Sequence, residues 1–427
     1  MTHDELRERN KLFKEQPNSF ILVSALIFIS TIIPSLLGNE YDFELLYQWK
    51  QIEYKFNSEE ERSEAIQNGT FDIGKIMPID AQYTFNQYTD EERIFITAPR
   101  LTTGVPATIG VIIDETRDGN PVIEPYPSWS WHVEPEKCKY HRIISVFRIW
   151  WDECDRLWIS DIGVIGDDFI CPPQLLLFDL KTDELLHKYE IPYDQYNNIS
   201  WFNAPMAEVE SYNNECENAW LYIADPNDSK LLVYSLKQDT SWSIQDKSFE
   251  ADPEYVNFTI DGDFFSYADG IVSVALSPAS DRPEVKKLYY HALSNNKESW
   301  VYVKHLKNRE NFEVPYGAAE LFHTYKGTRD QQSVTEAVDQ DGYLYFSLLI
   351  DVLLVKWDTN TPYRQENWEI INDDYERMQF PSGLKVLPYR GNKNHEVLWV
   401  FSVAYQRYEA GTLFGNRTNF RLFAVDL

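Results

Sequence analysis

The sequence predicts an all-β fold, a six-bladed β-propeller around a central channel. An apolar-aromatic strand core recurs six times, and successive cores start 54 to 67 residues apart. Most cores are followed by a second apolar run after a short turn, and helical periodicity is scarce. A repeat of this length with several short strands per unit is typical of propeller blades. The six cores are residues 94–96, 157–159, 221–223, 288–290, 344–346 and 398–400.

The two ends of the chain supply the strands that close the ring. Residues 41–56 alternate apolar and polar side chains, which is the period of a half-buried strand. The chain ends in another strand-like run, 420–427. We therefore expect an N-terminal strand to complete the C-terminal blade, because such closure removes a free sheet edge.

The remaining segments are assigned by the same periodicities. Residues 58–68, rich in Glu, Arg and Gln, are predicted to form one short helix. No low-complexity linker interrupts the chain, so 39–427 are predicted to form a single propeller domain. The apolar runs that precede blade cores are expected to line the channel: 143–149, 270–276, 334–338 and 384–387.

The charge balance excludes some partners. The 427 residues carry a formal net charge of -29. Nucleic acids and anionic membrane surfaces attract clustered Lys and Arg, so neither is an expected partner. The negative field favours a cationic ligand. Alternatively, the charge only keeps an exported protein soluble.

The N-terminus indicates export. A polar stretch precedes an almost wholly apolar run, 20–33, and small residues follow as far as Gly38. This order is typical of a secretory signal peptide, and the run is shorter than the ~20 apolar residues of a membrane-spanning helix. We predict a signal peptide over 1–38 and a secreted protein without membrane association after its removal. A retained signal anchor is the alternative.

Cysteines and glycosylation sequons agree with export. Four cysteines in an exported chain predict two disulfides, and their positions favour Cys138–Cys154 with Cys171–Cys216. Metal binding is the other common use of cysteine, but the sequence has no CxxC pair. The five sequons begin at Asn68, Asn198, Asn227, Asn257 and Asn416.

Few residues stand out as candidates for chemistry. The sequence has no HExxH zinc motif and no GxSxG nucleophile elbow. Side chains at channel-facing turns are candidate ligands of an axial calcium ion, which takes about six to eight oxygens, although turn capping is the commoner use of Asp and Asn. Glu336 and Asp269 are also the candidate general bases, and no resident cofactor is predicted. The candidate calcium ligands are Asp161, Asn203, Asp269 and Glu336.

Several strings resemble those of the insect yellow / major royal jelly protein family. They include DECDRLW at 152–158, CPPQL at 171–175 and FPSGLK at 380–385. The resemblance implies a secreted six-bladed propeller with two disulfides. The other matching strings are 46–56, 104–108, 145–148, 178–180, 222–225, 269–271, 275–278, 288–293 and 419–421.

The resemblance also implies a ligand site in the channel. Family members include pigmentation proteins of the melanin pathway, royal jelly food proteins and salivary proteins that bind biogenic amines. In the amine binders a Thr and a Ser-Asn-x-Phe string hold the ligand. Here Ser382 matches the Thr, Val403 replaces the Asn and removes an acceptor for a buried ammonium, and Tyr405 keeps an aromatic wall. The predicted ligand-binding residues are Ser382, Val403, Tyr405 and Phe380.

Three functions follow as hypotheses. We predict a secreted monomer that binds a small aromatic amine or melanin precursor, derived from a catecholamine or an indole, in connection with pigmentation or cuticle. A dopachrome-converting isomerase is the first alternative. That enzyme needs a base whose pKa suits neutral pH, which Glu336 or Asp269 would supply. A non-catalytic structural or nutritive protein is the second.

Overall fold

Six sheets stand around one axis, and their innermost strands face each other across it. The computed structural model describes residues 41–138, 140–210, 216–278, 280 and 282–427. The predicted signal peptide, 1–38, lies outside these residues. Residues Tyr41–Leu427 form one compact unit.

Strands account for most of the regular structure. Among the residues that the structure describes, the helices are α1 (Glu59–Gln67), α2 (Val303–Leu306) and α3 (Tyr405–Glu409). The strands in chain order are β1 (Glu44–Trp49), β2 (Glu53–Tyr54), β3 (Asp80–Asn86), β4 (Glu91–Thr97), β5 (Ile109–Arg117), β6 (Asn120–Pro125), β7 (Val146–Trp151), β8 (Arg156–Asp161), β9 (Val164–Ile165), β10 (Asp168–Phe169), β11 (Gln174–Asp179), β12 (Leu185–Glu190), β13 (Ala204–Val209), β14 (Ala219–Asp225), β15 (Lys230–Ser235), β16 (Thr240–Gln245), β17 (Asn257–Ile260), β18 (Asp263–Ser266), β19 (Ile271–Leu276), β20 (Lys287–Ala292), β21 (Ser299–Tyr302), β22 (Phe322–Thr324), β23 (Glu336–Val338), β24 (Tyr343–Leu348), β25 (Leu353–Asp358), β26 (Trp368–Asn372), β27 (Phe380–Tyr389), β28 (Asn392–Val403) and β29 (Phe420–Asp426).

The sheet topology confirms the six-bladed propeller. Each of the six predicted cores lies in the second strand of a blade, where it is covered on both faces by the neighbouring blades. The innermost strands contact one another in order, and β27 contacts β3 to complete the circle. From the channel outward the blades are β3-β4-β5-β6-β2, β7-β8-β11-β12, β13-β14-β15-β16, β19-β20-β21-β22, β23-β24-β25-β26 and β27-β28-β29-β1.

The N-terminal segment closes the ring as predicted. Strand β1 pairs antiparallel with β29 and so completes the last blade. Strand β2 pairs parallel with β6 of the first blade, a second tie that the sequence did not predict. At the end of β1, Trp49 is 1% exposed, and its Nε1 donates to Pro121 O of β6 at 3.0 Å. One short segment therefore joins the last blade to the first.

The predicted helix is also present. Helix α1 begins after Ser58, whose side chain accepts a hydrogen bond from Glu61 N at 3.1 Å. Three glutamates, Glu59 to Glu61, occupy its first turn, where the helix dipole stabilises negative charge. The helix buries none of its residues, and Arg62 on it pairs with the buried carboxylate of Glu53 in β2 at 2.8 Å.

All four cysteines form disulfides, but the predicted pairing is wrong. The bonds are Cys138–Cys171 and Cys154–Cys216. Strand β7 runs between Cys138 and Cys154 and spans about 20 Å over its six residues, so these two cysteines lie at opposite ends of the blade. Each bond instead joins segments at the same end, with Cα atoms 5.6 and 6.0 Å apart.

Four of the five sequon asparagines are exposed and Asn227 is half-buried. No helix in the described ranges combines the length and apolar character needed to cross a membrane.

Candidate functional site

The channel widens into a cavity at the end where the innermost strands finish. Its volume is about 280 Å³, near the lower end of the size range of ligand pockets. A space of this size suits one or two fused rings. Its apolar wall includes Trp150, Met206, Leu276, Leu384 and Leu387. Its charged side chains are Asp152, Glu153, Asp155, Lys286, Glu336, Lys393 and Glu396.

A second, smaller cavity of about 30 Å³ lies further along the channel. It shares Trp150, Met206, Glu336 and Leu384 with the larger cavity, so the two adjoin. Four charged side chains line it, and we call this part of the channel the waist: Asp80, Arg148, Glu336 and Lys385.

The charged groups of the waist are held by hydrogen bonds. Lys385 Nζ pairs with Asp80 and donates to Gln82 Oε1 and Ile149 O, both at 2.9 Å. Burial lowers the pKa of Lys385, and the Asp80 carboxylate opposes that shift. This buried pair connects strands of the first, second and last blades.

Glu336 belongs to a second buried network behind the channel wall. Its backbone N–H donates to Ser273 Oγ at 2.9 Å, and its Oε2 lies 3.1 Å from His291 Nδ1. The same Nδ1 lies 3.2 Å from Glu298 Oε2. Arg329 Nη1 donates to Glu298 Oε2 at 2.6 Å and to Tyr363 Oη at 3.1 Å.

This network retains a proton near neutral pH. Burial and the charge of Glu298 raise the pKa of Glu336 to about 7, against the opposing effect of His291. Burial disfavours the charged imidazolium, but the Glu336 and Glu298 carboxylates outweigh it and raise the pKa of His291. Both pKa shifts favour keeping a proton on Glu336 or His291. Glu336 is therefore placed to take up or release a proton at the cavity wall.

The same three side chains have the geometry of a metal site. One ligand atom each from His291, Glu298 and Glu336 lies within 4.8 Å of the others. Arg329 already supplies a positive charge to Glu298, which disfavours a second cation in this low-dielectric setting. The chemistry of the cluster therefore fits a shared proton better than a bound metal.

The candidate calcium ligands predicted from sequence occupy separate places. Asp161 accepts hydrogen bonds from Ile144 N, Ser145 N and Gln174 Nε2 at 2.8 to 2.9 Å. It therefore caps a turn, which was the alternative to binding calcium. Asn203 is buried beside the start of β13, and Asp269 precedes β19. Only Glu336 lines the cavities.

The predicted ligand-binding residues lie at the other end of the channel. Phe380 begins β27, and its ring stacks on Tyr405 with centroids 5.1 Å apart. Val403 is 2% exposed and pairs with Phe380 across the sheet. Ser382 Oγ donates to Ile79 O at 2.6 Å, so this hydroxyl is already engaged.

A hairpin covers this end. Strands β17 and β18 form it between two blades, and Phe265 on β18 contacts both Phe380 and Tyr405. Tyr405 Oη donates to Tyr267 Oη at 3.4 Å. Burial, followed by repulsion from Glu409, raises the pKa of nearby Asp269 to about 6. The two candidate bases, Glu336 and Asp269, thus belong to different parts of the channel.

Sequence reasoning missed His291, Glu298, Arg329 and Arg148. His291 lies within the string 288–293 and interrupts a strand core with a polar residue. That interruption was an available signal, because a polar residue inside a buried strand requires a partner. Glu298 and Arg329 lie outside the strands, so only the folded chain brings them to His291.

Fold and site together define a β-propeller with a small, partly charged cavity on its axis. The sequence profile of the major royal jelly protein family matches residues 144–427. Major royal jelly protein 9 of Apis mellifera is 34% identical over 392 residues, 89% of this chain and 86% of that protein. The chain therefore belongs to the major royal jelly protein family, in agreement with the resemblance seen in its sequence.

Other relatives match over similar lengths. Major royal jelly protein 8 of Apis mellifera is 32% identical and covers 80% of this chain and 79% of its own length. The dopaminechrome tautomerase of Drosophila melanogaster is 27% identical, covering 92% of this chain and 83% of its own length.

Proposed function

We propose that this protein is secreted and binds a small aromatic compound, derived from a catecholamine or an indole, in the larger axial cavity. The cavity itself carries the proposal: about 280 Å³, walled by Trp150 and Met206, with Glu336 at its inner end. Aromatic walls with a few convergent polar groups suit a flat ring whose substituents must be oriented.

Two further observations support the proposal. Two disulfides in one chain fit an oxidising compartment. A relative that is 27% identical is named for dopaminechrome, a cyclised quinone derived from a catecholamine. The proposed link to melanin pigmentation or cuticle depends on that relative and on the family.

Calorimetric titration with dopamine and serotonin tests binding. We expect saturable heats for the unaltered protein and their loss in Leu276→Trp, because Leu276 lines the larger cavity and is only half-buried, so a larger ring there fills the space. Tyr405→Leu, at the other end, is the matched control and should still bind. Heats indistinguishable from dilution into buffer would contradict the proposal, and loss in the Tyr405 variant alone would place the site at that end.

A second candidate function is tautomerisation of an aminochrome, favoured by the pKa of Glu336. When dopaminechrome becomes its dihydroxyindole isomer, two protons leave ring carbons, each quinone oxygen gains one, and no electron leaves the molecule. A carboxylate whose pKa lies near 7 can accept such a proton, and His291 can stabilise either protonation state of that carboxylate.

The decay of dopaminechrome absorbance tests this second function. We expect Glu336→Gln to slow the decay by about 100-fold or more, while Asp269→Asn, the matched change at the other end, leaves it unchanged. Equal rates for the unaltered protein and Glu336→Gln would exclude Glu336 as the base.

A further inference from the structure

Arg148 brings a positive charge to the waist with no carboxylate of its own. Its Nε and Nη2 donate to Ser382 O at 3.1 and 3.0 Å. No ion pair of the described residues includes it, and it is only 9% exposed. A buried guanidinium bonded to a neutral carbonyl is poorly compensated, so an anion beside it would stabilise both.

The surrounding charges do not remove this excess. Asp80 lies near enough to favour the charged form of Arg148. Its Oδ2, however, is engaged by Lys385 and by Ile149 N. One carboxylate thus faces two cations, and Glu336 adds no negative charge while it holds its proton. The waist therefore carries about one positive charge whenever Glu336 is protonated.

The smaller cavity offers room and a second donor. Arg148, Lys385 and Ser273 all line it, and the hydrogen bond from Glu336 N uses Ser273 Oγ as an acceptor, which leaves the Ser273 hydroxyl proton able to donate. Its volume of about 30 Å³ is that of roughly one water molecule. A carboxylate oxygen placed there can accept hydrogen bonds from Arg148 and from the Ser273 hydroxyl.

We propose that Arg148 anchors a carboxylate in the smaller cavity, so that the ligand is an aromatic acid rather than a simple aromatic amine. The ring lies in the larger cavity beside Trp150, which lines both cavities, and a short side chain carries the carboxylate to the waist. This inference rests on the proposed function and names its ligand class.

Calorimetry with two matched pairs of ligands tests the anchor. L-DOPA differs from dopamine, and tryptophan from tryptamine, by the carboxylate alone. We expect the unaltered protein to bind each acid roughly tenfold or more tightly than its amine, as a charge-assisted bidentate pair allows. Arg148→Gln should lower the affinity for the acids to that for the amines. The affinity for the amines should stay within about twofold of that of the unaltered protein.

The outcomes separate this inference from the proposed function. Equal or tighter binding of the amines by the unaltered protein overturns the carboxylate anchor but leaves an aromatic site in place. If neither the acid nor the amine of a pair binds, both the carboxylate anchor and the proposed function are wrong. Should Arg148→Gln fail to fold in a melting scan, the comparison of acid and amine on the unaltered protein still decides the matter.

Discussion

His291 Nδ1 lies 3.1 Å from Glu336 Oε2, and both side chains are fully buried. One imidazole thereby links the wall of the axial cavity to Glu298 and Arg329 behind it. Glu336 therefore gains or loses its proton near neutral pH, where exposed carboxylates are already fully ionised. The consequences are measurable without any ligand.

Stability should fall as pH rises through the titration of Glu336. Its pKa is 4.5 ordinarily and about 7 when folded, so between these values the folded chain holds a proton that the unfolded chain releases. The free energy of unfolding therefore decreases from pH 4.5 to 7, and His291, whose pKa is also raised, acts in the same direction. We expect this contribution to be on the order of 1–3 kcal/mol.

Melting scans of Glu336→Gln between pH 6 and 8 measure the upper part of that contribution, where the folded protein releases the proton. The melting temperature of the variant should change less with pH than that of the unaltered protein. Asp269→Asn is the control, because the pKa of Asp269 is only about 6 and its loss changes the curve mainly below pH 6. Parallel curves for Glu336→Gln and the unaltered protein over pH 6 to 8 would argue against proton retention by this pair.

Ring closure should depend on Trp49. This side chain is 1% exposed and contacts Phe401 edge to face. Trp49→Ala is expected to lower the free energy of unfolding by about 3–5 kcal/mol, as large buried aromatics do. Leu45→Ala, on the same strand but 36% exposed, should cost less than ~1 kcal/mol. Urea unfolding gives both values, and equal costs would contradict the role of Trp49 in closure.

Asp161 should act as a structural acceptor and not as a calcium ligand. It accepts two backbone N–H groups that precede β7, and Asp161→Asn leaves at least one donor poorly paired. We expect a loss of about 1–3 kcal/mol, the same with calcium or with chelator present. A chelator-dependent melting midpoint in the unaltered protein, absent from the variant, would restore the metal role.

Peptide mapping without reduction tests the disulfide pairing. Linked peptides should contain Cys138 with Cys171 and Cys154 with Cys216. Replacing Cys154 and Cys216 together by Ser should cost about 2–4 kcal/mol, because the bond closes a loop of 62 residues. Recovery of a Cys138–Cys154 peptide would refute the pairing.

The sequence was sufficient for the fold because its signals were local. Each strand core is a short apolar run between turns, and each of the six became a second blade strand. Closure by the N-terminal strand followed from the cost of a free sheet edge. The parallel pairing of β2 with β6 was not predictable, because β2 has only two residues and is too short to show an alternation of apolar and polar side chains.

The site was less predictable because it depends on distances across the ring. The cysteine pairing failed when nearness in sequence was taken for nearness in space, although an intervening strand separates the two ends of a blade. Glu336 was found as an acidic residue within a predicted inner strand, 334–338. Its partners Glu298 and Arg329 come from loops, which no pattern connects.

The most direct test of the account is the structure of the protein crystallised with a bound aromatic ligand such as L-DOPA. We expect the ring between Trp150, Met206 and Leu384, with its polar groups toward Glu336 and Arg148. A ring bound between Phe380 and Tyr405, with the larger axial cavity filled only by water, would contradict the central claim.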